Sequence, residues 1–156
     1  MDILRRTETL PGYVAILLRM EAFHRAFEPR LAELDFEPRV PRLRADLDAL
    51  APGWRPEATP SVPTFESLDH ALGGLYVIEG AALGGQIIAR RLLARHGLTE
   101  TRGASFFASG GSPIGPRWKV VRAMLDASDD YDALEAGAIA TFEAFERAVV
   151  AEAVHA

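Results

Sequence analysis

Between Gly73 and Gly85, five of thirteen residues are glycine, and they lie inside a mostly apolar segment that no proline interrupts from Thr64 to His96. The segment ends in Arg90, Arg91, Arg95 and His96 followed by Gly97, a cationic last turn with a glycine cap that reads as a helix C-terminus. Each glycine in a helix interior costs roughly 0.8–1 kcal/mol relative to alanine, so the five together cost ~4–5 kcal/mol. That is comparable with the lower range of a whole domain's net stability. Something must need bare backbone there, and three explanations compete. Gly80 and Gly84 are four apart on one helical face and would let a partner helix approach closely, as small-xxx-small seams do. Ala71 to Ala89 is long enough to span a bilayer, but Glu79 at its middle is expensive in hydrocarbon. The third is a flat ligand lying against the helix where a Cβ would clash. Periodicity alone does not choose between the first and the third.

The rest of the chain is helical in pattern. Thr9 before Leu10-Pro11 starts a helix whose apolar positions Tyr13, Ile16, Leu17, Met20, Phe23, Phe27 and Leu31 carry it to about Leu34. Pro38 and Pro41 break the pattern, and a shorter helix follows with Leu43, Leu47 and Leu50 on one face. Ala51 to Pro63, with four prolines and a glycine, reads as a loop, and a glycine- and serine-rich connection runs from Gly103 to Pro116. Two further helices are expected, Trp118 to about Ala127 and Asp130 to the end. No alternating strand signal and no internal repeat is visible. The expectation is an all-α, single-domain multi-helix bundle over residues 1–156.

The formal net charge of −5 argues against a generic nucleic-acid surface. With no cysteine, thiolate nucleophiles, Cys-type zinc sites and Fe–S clusters are excluded, and a cytoplasmic location is expected. Met1-Asp2-Ile3-Leu4-Arg5-Arg6 does not read as a signal peptide, and no membrane span is expected. Arg90 to Arg122 holds seven basic residues and one acid, a stretch that could welcome an anion. Glu79 is read as one side of a buried salt bridge with an arginine of a neighbouring helix. His24, among Met20, Phe23 and Phe27, is read as a hydrogen-bonded core histidine, with an iron ligand as the weaker alternative. His70, His96 and His155 are read as surface or capping residues. No Ser/His/Asp arrangement, HExxH motif or phosphate-cradling glycine loop is present.

The run Gly74-Leu75-Tyr76-Val77-Ile78-Glu79-Gly80-Ala81-Ala82-Leu83-Gly84-Gly85-Gln86 resembles the distal-helix signature of the heme oxygenase family, of the form LYVxEGxxLGG. It looks most like the bacterial biliverdin-producing enzymes that accompany bacteriophytochromes. Two further patches are similar in order: Tyr13 to Glu28-Pro29 resembles the helix after the family's heme-ligand helix, and Phe106-Phe107 with Trp118-Lys119 resembles its later segment. The resemblance implies that Gly80 and Gly84 are the distal glycines over the heme iron, with Gly85 beside them. Arg91, with Arg90 its neighbour, matches a basic position that contacts a heme propionate in some bacterial relatives. It further implies that heme serves as cofactor and substrate, that O₂ opens it to biliverdin, CO and Fe²⁺, and that electrons come from an external donor such as a ferredoxin or a reductase. The family's proximal ligand is a histidine ahead of the Tyr13 helix, but no residue before Tyr13 is a histidine. The expectation is that this N-terminal helix is missing. Ala81 also departs from the polar residue that many relatives carry. Two other readings stay beside the enzyme: a catalytically degenerate heme- or bilin-binding module of the same fold, and a helical interaction protein whose glycine face is a packing seam.

Overall fold

The computed structural model describes residues 3–151 and is all-α: six α-helices, two 3-10 turns and a final π-type turn, with no strand among the described residues. A short α1 (Ile3–Arg6) leads into α2 (Leu10–Phe27), whose first turn is capped by Thr9 accepting the Gly12 N–H at 3.1 Å. Here α2 stops seven residues before the expected end at Leu34. Pro29 has no N–H to continue the ladder, so the chain tightens into a 3-10 turn at Glu28–Leu31. After α3 (Val40–Leu50) and the proline-rich loop comes α4 (Leu68–His96), 29 residues long. Ser67 caps its start by accepting the His70 N–H, and Gly97 closes it with φ 67°, a left-handed conformation that glycine adopts without strain.

α5 (Ile114–Asp126) begins earlier than the expected Trp118, because Pro116 sits in the first turn, where a missing N–H is tolerated. α6 (Tyr131–Phe145) is capped by Asp130 accepting the Ala133 N–H, and it runs into the wider turn Glu146–Val150. His155 lies outside the described residues.

The middle of the fold is α4. α2 packs Tyr13, Ile16, Leu17, Phe23 and Phe27 into a core shared with Leu72, Leu75 and Ile78 of α4. α6 lies parallel to α4, since Gly137 meets His70 and Thr141 meets Gly74. Their contact is backbone on backbone. A Cβ at Gly73 would overlap the Leu134 carbonyl oxygen, and a Cβ at Gly137 would overlap that of His70. α5 runs antiparallel, with Arg117 at Glu79, Trp118 against Tyr76, and Ser128 just beyond it bonded to Asp69. Among the described helices α4 alone is long and apolar enough to cross a membrane, by length and composition only. Its mid-point carboxylate is ion-paired inside the bundle, as a core helix requires.

Candidate functional site on the outer face of α4

At 100° per residue, Tyr76, Gly80, Leu83, Gly84, Ile87 and Arg91 share one face of α4. α6 covers the N-terminal part of that face through Gly73, and beyond it the face lies open. A Cβ at Gly84 would meet nothing within 4 Å, and one at Gly80 would touch only the Trp118 indole at an ordinary 3.8 Å. Tyr76, Leu83 and Ile87 are exposed although apolar, Ile87 by 52%. The Trp118 ring leans on Tyr76 with centroids 5.9 Å apart and walls one end. From Tyr76 to Arg91 the strip runs about 22 Å along the helix.

At the far end Arg91 and Arg95 line an open groove with Leu4, Thr7 and Glu8, where the α1–α2 corner crosses α4. Arg95 is committed there, donating from Nε to the Glu8 carbonyl at 2.8 Å, while His96 Nε2 pairs with the Thr7 carbonyl at 2.9 Å. Arg91 is exposed at the end of the apolar strip. The strip therefore offers a flat apolar surface, two bare backbone positions and a guanidinium at one end, a shape and chemistry suited to a planar ligand carrying carboxylates.

Of the remaining candidates, Arg90 borders the strip and the others fall elsewhere. Gly85 turns inward, where a Cβ would stand 3.4 Å from the Phe107 carbonyl oxygen. Arg90 is exposed and, seven residues after Leu83, borders the strip about 20° beyond its edge, on the side away from Gly84. His24 is 2% exposed and lies behind α4: it lines a small cavity with Ile78, Ala81, Ala82 and Gly85, the side of the helix away from Gly84. Its Nδ1 lies 2.8 Å from Glu28 Oε2, and Phe23 and Phe106 stack edge-on against its ring. Burial holds its pKa below the ordinary histidine value, with Arg39 adding to the effect and Glu28 opposing it. The core-histidine reading thus matches the geometry, and the helix separates His24 from the open face. His70 accepts the Glu66 N–H at the start of α4. Among the described residues no group of three His, Asp or Glu could hold a metal ion.

Glu79 has the buried partnership expected of it, doubled. Arg39 Nη2 reaches one oxygen at 3.0 Å and Arg117 the other at 3.1 Å, and the carboxylate is 4% exposed. This pairing ties the start of α3 and α5 to the middle of α4, beneath the strip. Asp46 on α3 accepts the N–H groups of Ser105 and Phe106 at 2.8 and 2.9 Å, which fixes the Phe106-Phe107 loop behind Gly85. Sequence reasoning missed Ile87 and Arg39. Ile87 was findable, because it repeats Tyr76 at eleven residues, three turns on. Arg39 carries no local signal, since its partners are set by tertiary packing.

The chain matches no protein-family model. Among curated proteins, the heme oxygenase of Xanthomonas campestris pv. campestris (strain 8004) is 33% identical over 156 residues, an alignment that covers 90% of this chain and 90% of the relative. An all-α bundle built around a glycine-bearing helix, together with that similarity over nearly the full length of both proteins, shows that the chain belongs to the heme oxygenase family.

Proposed function

We propose that this protein binds heme against the Gly80–Gly84 face of α4 and opens it oxidatively to biliverdin, CO and Fe²⁺, in the manner of the bacteriophytochrome-associated enzymes. The observation that carries the reading is the space at Gly84. A helix that forgoes a Cβ usually does so because something presses on it, and here no protein atom does. When bound, heme supplies both the oxygen-activating iron and the carbon that is oxidised. In this reading Gly80 and Gly84 allow the macrocycle to lie on main chain. Tyr76, Leu83, Ile87 and Trp118 exclude water from its faces, and Arg91 holds a propionate by charge-assisted hydrogen bonding. Electrons come from an external donor such as a ferredoxin or a reductase, in the cytoplasm.

The residues fit the plane and the propionate. For the iron they fit less well, because none of the described histidines lies on the strip. That observation, with the apolar Ala81, favours a second reading: the same seat carries heme or a bilin without turnover. Hemin titration followed by the Soret band, with and without added imidazole, tests both. The first reading expects a Soret complex that forms biliverdin with ascorbate or a ferredoxin system, and imidazole alone restoring turnover assigns the defect to the axial ligand. A Soret complex without biliverdin under either condition leaves the carrier reading. Gly84→Leu should abolish the Soret complex with the circular dichroism unchanged; an unaltered Soret titration overturns the seat. Arg91→Ala should weaken hemin binding about tenfold, the loss of ~1.4 kcal/mol expected for one charge-assisted hydrogen bond. Unchanged affinity would remove Arg91 from the site.

A further inference from the structure

Three guanidiniums from separate parts of the chain converge on one cleft beside α4. Arg39 stands just before α3, Arg42 in its first turn and Arg117 near the start of α5. With Ser109 and Ser112 of the connection before α5 they line a space of about 210 Å³ that opens to solvent. Glu79 and Ala82 contribute from α4, roughly 60° and 120° round the helix from Tyr76 and on the side away from Gly84. The cleft is thus separate from the open strip.

The charges there are not matched in depth. Glu79 is the one buried carboxylate among those lining the cleft, and Arg39 and Arg117 share it. Arg42 pairs with Glu37 at 3.3 Å and Arg117 with Asp35 at 3.2 Å, but those carboxylates are 79% and 76% exposed, whereas the arginines facing them are 18% and 27% exposed. Water screens the two rim carboxylates, so three largely buried cations are left with one buried anion. Among the described residues, Nη1 of Arg39 is buried with no hydrogen-bond partner, so Glu79 does not satisfy that guanidinium completely.

The other unanswered groups around the cleft can also donate. The Ser109 and Ser112 hydroxyls make no hydrogen bond to any described residue. α5 begins at Pro113 with no side-chain cap and no acidic residue in its first turn, which leaves the Ile114 and Gly115 N–H groups and the positive end of the helix dipole unanswered. The Arg42 guanidinium lies against Gly110, where a Cβ would stand 3.0 Å from Nε, so bare backbone holds its fork in place. A guest that meets donors from α3, the loop and α5 must accept on several sides at once. A planar carboxylate serves one fork, whereas a tetrahedral oxyanion has an oxygen for each direction. The space holds several waters at ~30 Å³ each, ample for such an ion.

We propose that this cleft is a seat for a phosphate dianion, free or as the phosphoryl group of a small metabolite. Arg42, the two serine hydroxyls and the start of α5 hold it, with the charges of Arg39 and Arg117 behind. Asp35 and Glu37 at the mouth repel further negative charge, which favours a single phosphoryl group over a polyphosphate. The bound anion ties α3, the loop and α5 together and so stabilises the folded chain with or without heme. The seat does not rest on the function proposed above.

The test uses the heme-free protein near pH 7.5, with sodium phosphate replacing sodium chloride at constant ionic strength. Thermal unfolding should show a saturable rise in Tm of about 3–6 °C at ten times the Kd. The Ile114 and Gly115 amide resonances should move with the same midpoint. Arg42→Gln should weaken phosphate about tenfold or more, while Arg55→Gln, which removes an equal charge from an exposed position, should leave the midpoint unchanged. Should Arg42→Gln fail to fold, Ser112→Glu, which puts a carboxylate at the mouth, should abolish the rise. Glycerol 3-phosphate binding more tightly than inorganic phosphate assigns the seat to a phosphorylated metabolite, and tighter binding of inorganic phosphate assigns it to the free ion. Acetate acting as strongly as phosphate overturns the phosphate assignment. No saturable rise, an equal loss in Arg42→Gln and Arg55→Gln, or amide shifts spread over the whole molecule overturns the seat itself.

Discussion

Replacing single glycines of α4 with alanine should move stability in opposite directions depending on the face. At Gly84 a Cβ enters open space, so alanine only removes backbone entropy from the unfolded chain and raises helix propensity. The expected gain is about 0.8–1 kcal/mol, or roughly 2–4 °C in Tm for a chain of this size. At Gly73 a Cβ overlaps the Leu134 carbonyl oxygen and stands 2.7 Å from the Ala138 nitrogen, both of them backbone atoms of α6 that cannot rotate away. Alanine there must push the two helices apart, at an expected net cost of about 2–3 kcal/mol, or roughly 4–10 °C, even after the propensity gain is credited. Gly137→Ala should behave as Gly73→Ala does, because its Cβ meets the His70 carbonyl across the same contact. Thermal unfolding of the heme-free variants at 222 nm measures the pair. The same variants titrated with hemin complete the argument, since Gly84→Ala should be the more stable apoprotein and the weaker binder. If Gly84→Ala and Gly73→Ala shift Tm in the same direction, the division of the glycines into a packing set and an open set is wrong.

Glu79→Gln leaves Arg39 and Arg117 facing a neutral amide where a 4%-exposed carboxylate stood, and should cost about 3 kcal/mol in a urea titration; a loss below about 1 kcal/mol would show that the pairing is solvent-screened. Asp46→Ala strips the acceptor from two loop N–H groups and should cost about 3 kcal/mol, with hydrogen exchange accelerating at Ser105 and Phe106 ahead of α3; uniform acceleration across the fold would refute a local anchoring role. His24 contributes an acid limb to stability. Its folded pKa lies below the unfolded 6.5, so the unfolded chain binds more protons just below that value. Stability is full above pH 6.5 and falls as the pH drops toward the folded pKa. The slope between pH 7.5 and 5 should shrink in His24→Gln, and an identical slope in both proteins would assign the acid limb to other groups.

The helices were legible because their signals are local. Thr9 and Asp130 cap the helices they were expected to start, and Gly97 ends α4 in the left-handed conformation its position suggested. Glu79 was legible as a buried ion pair because a lone carboxylate in a long apolar run must find a cation or leave the core. Its second arginine was not, since a sequence holds no record of how many helices converge on one atom. The errors at helix ends have a common source. Pro29 was overridden by the apolar period that runs on to Leu31, and Pro116 was given the force of a breaker although it sits in a first turn, where proline is harmless.

The glycines show most clearly what one-dimensional pattern leaves undecided. The close helix contact exists, as one of the competing explanations required, but it is made at Gly73 against α6, with Gly137 answering from the other side, and not at Gly80 and Gly84. The packing explanation thus holds at Gly73 and not at Gly80 and Gly84, where the space that a ligand would need lies open. No periodicity argument could have separated them, because Gly73, Gly80 and Gly84 lie within about 40° of one another around the helix. What separates them is where α6 ends its coverage, and that is set by the parallel docking of α6 from Tyr131 onward, sixty residues away in the chain. One helix face thus does two jobs along its length: its first turns accept another backbone, and its later turns present bare backbone to solvent. Since the second set costs helix stability and returns no packing within the protein, its retention is the strongest physical argument that something outside the chain occupies that space.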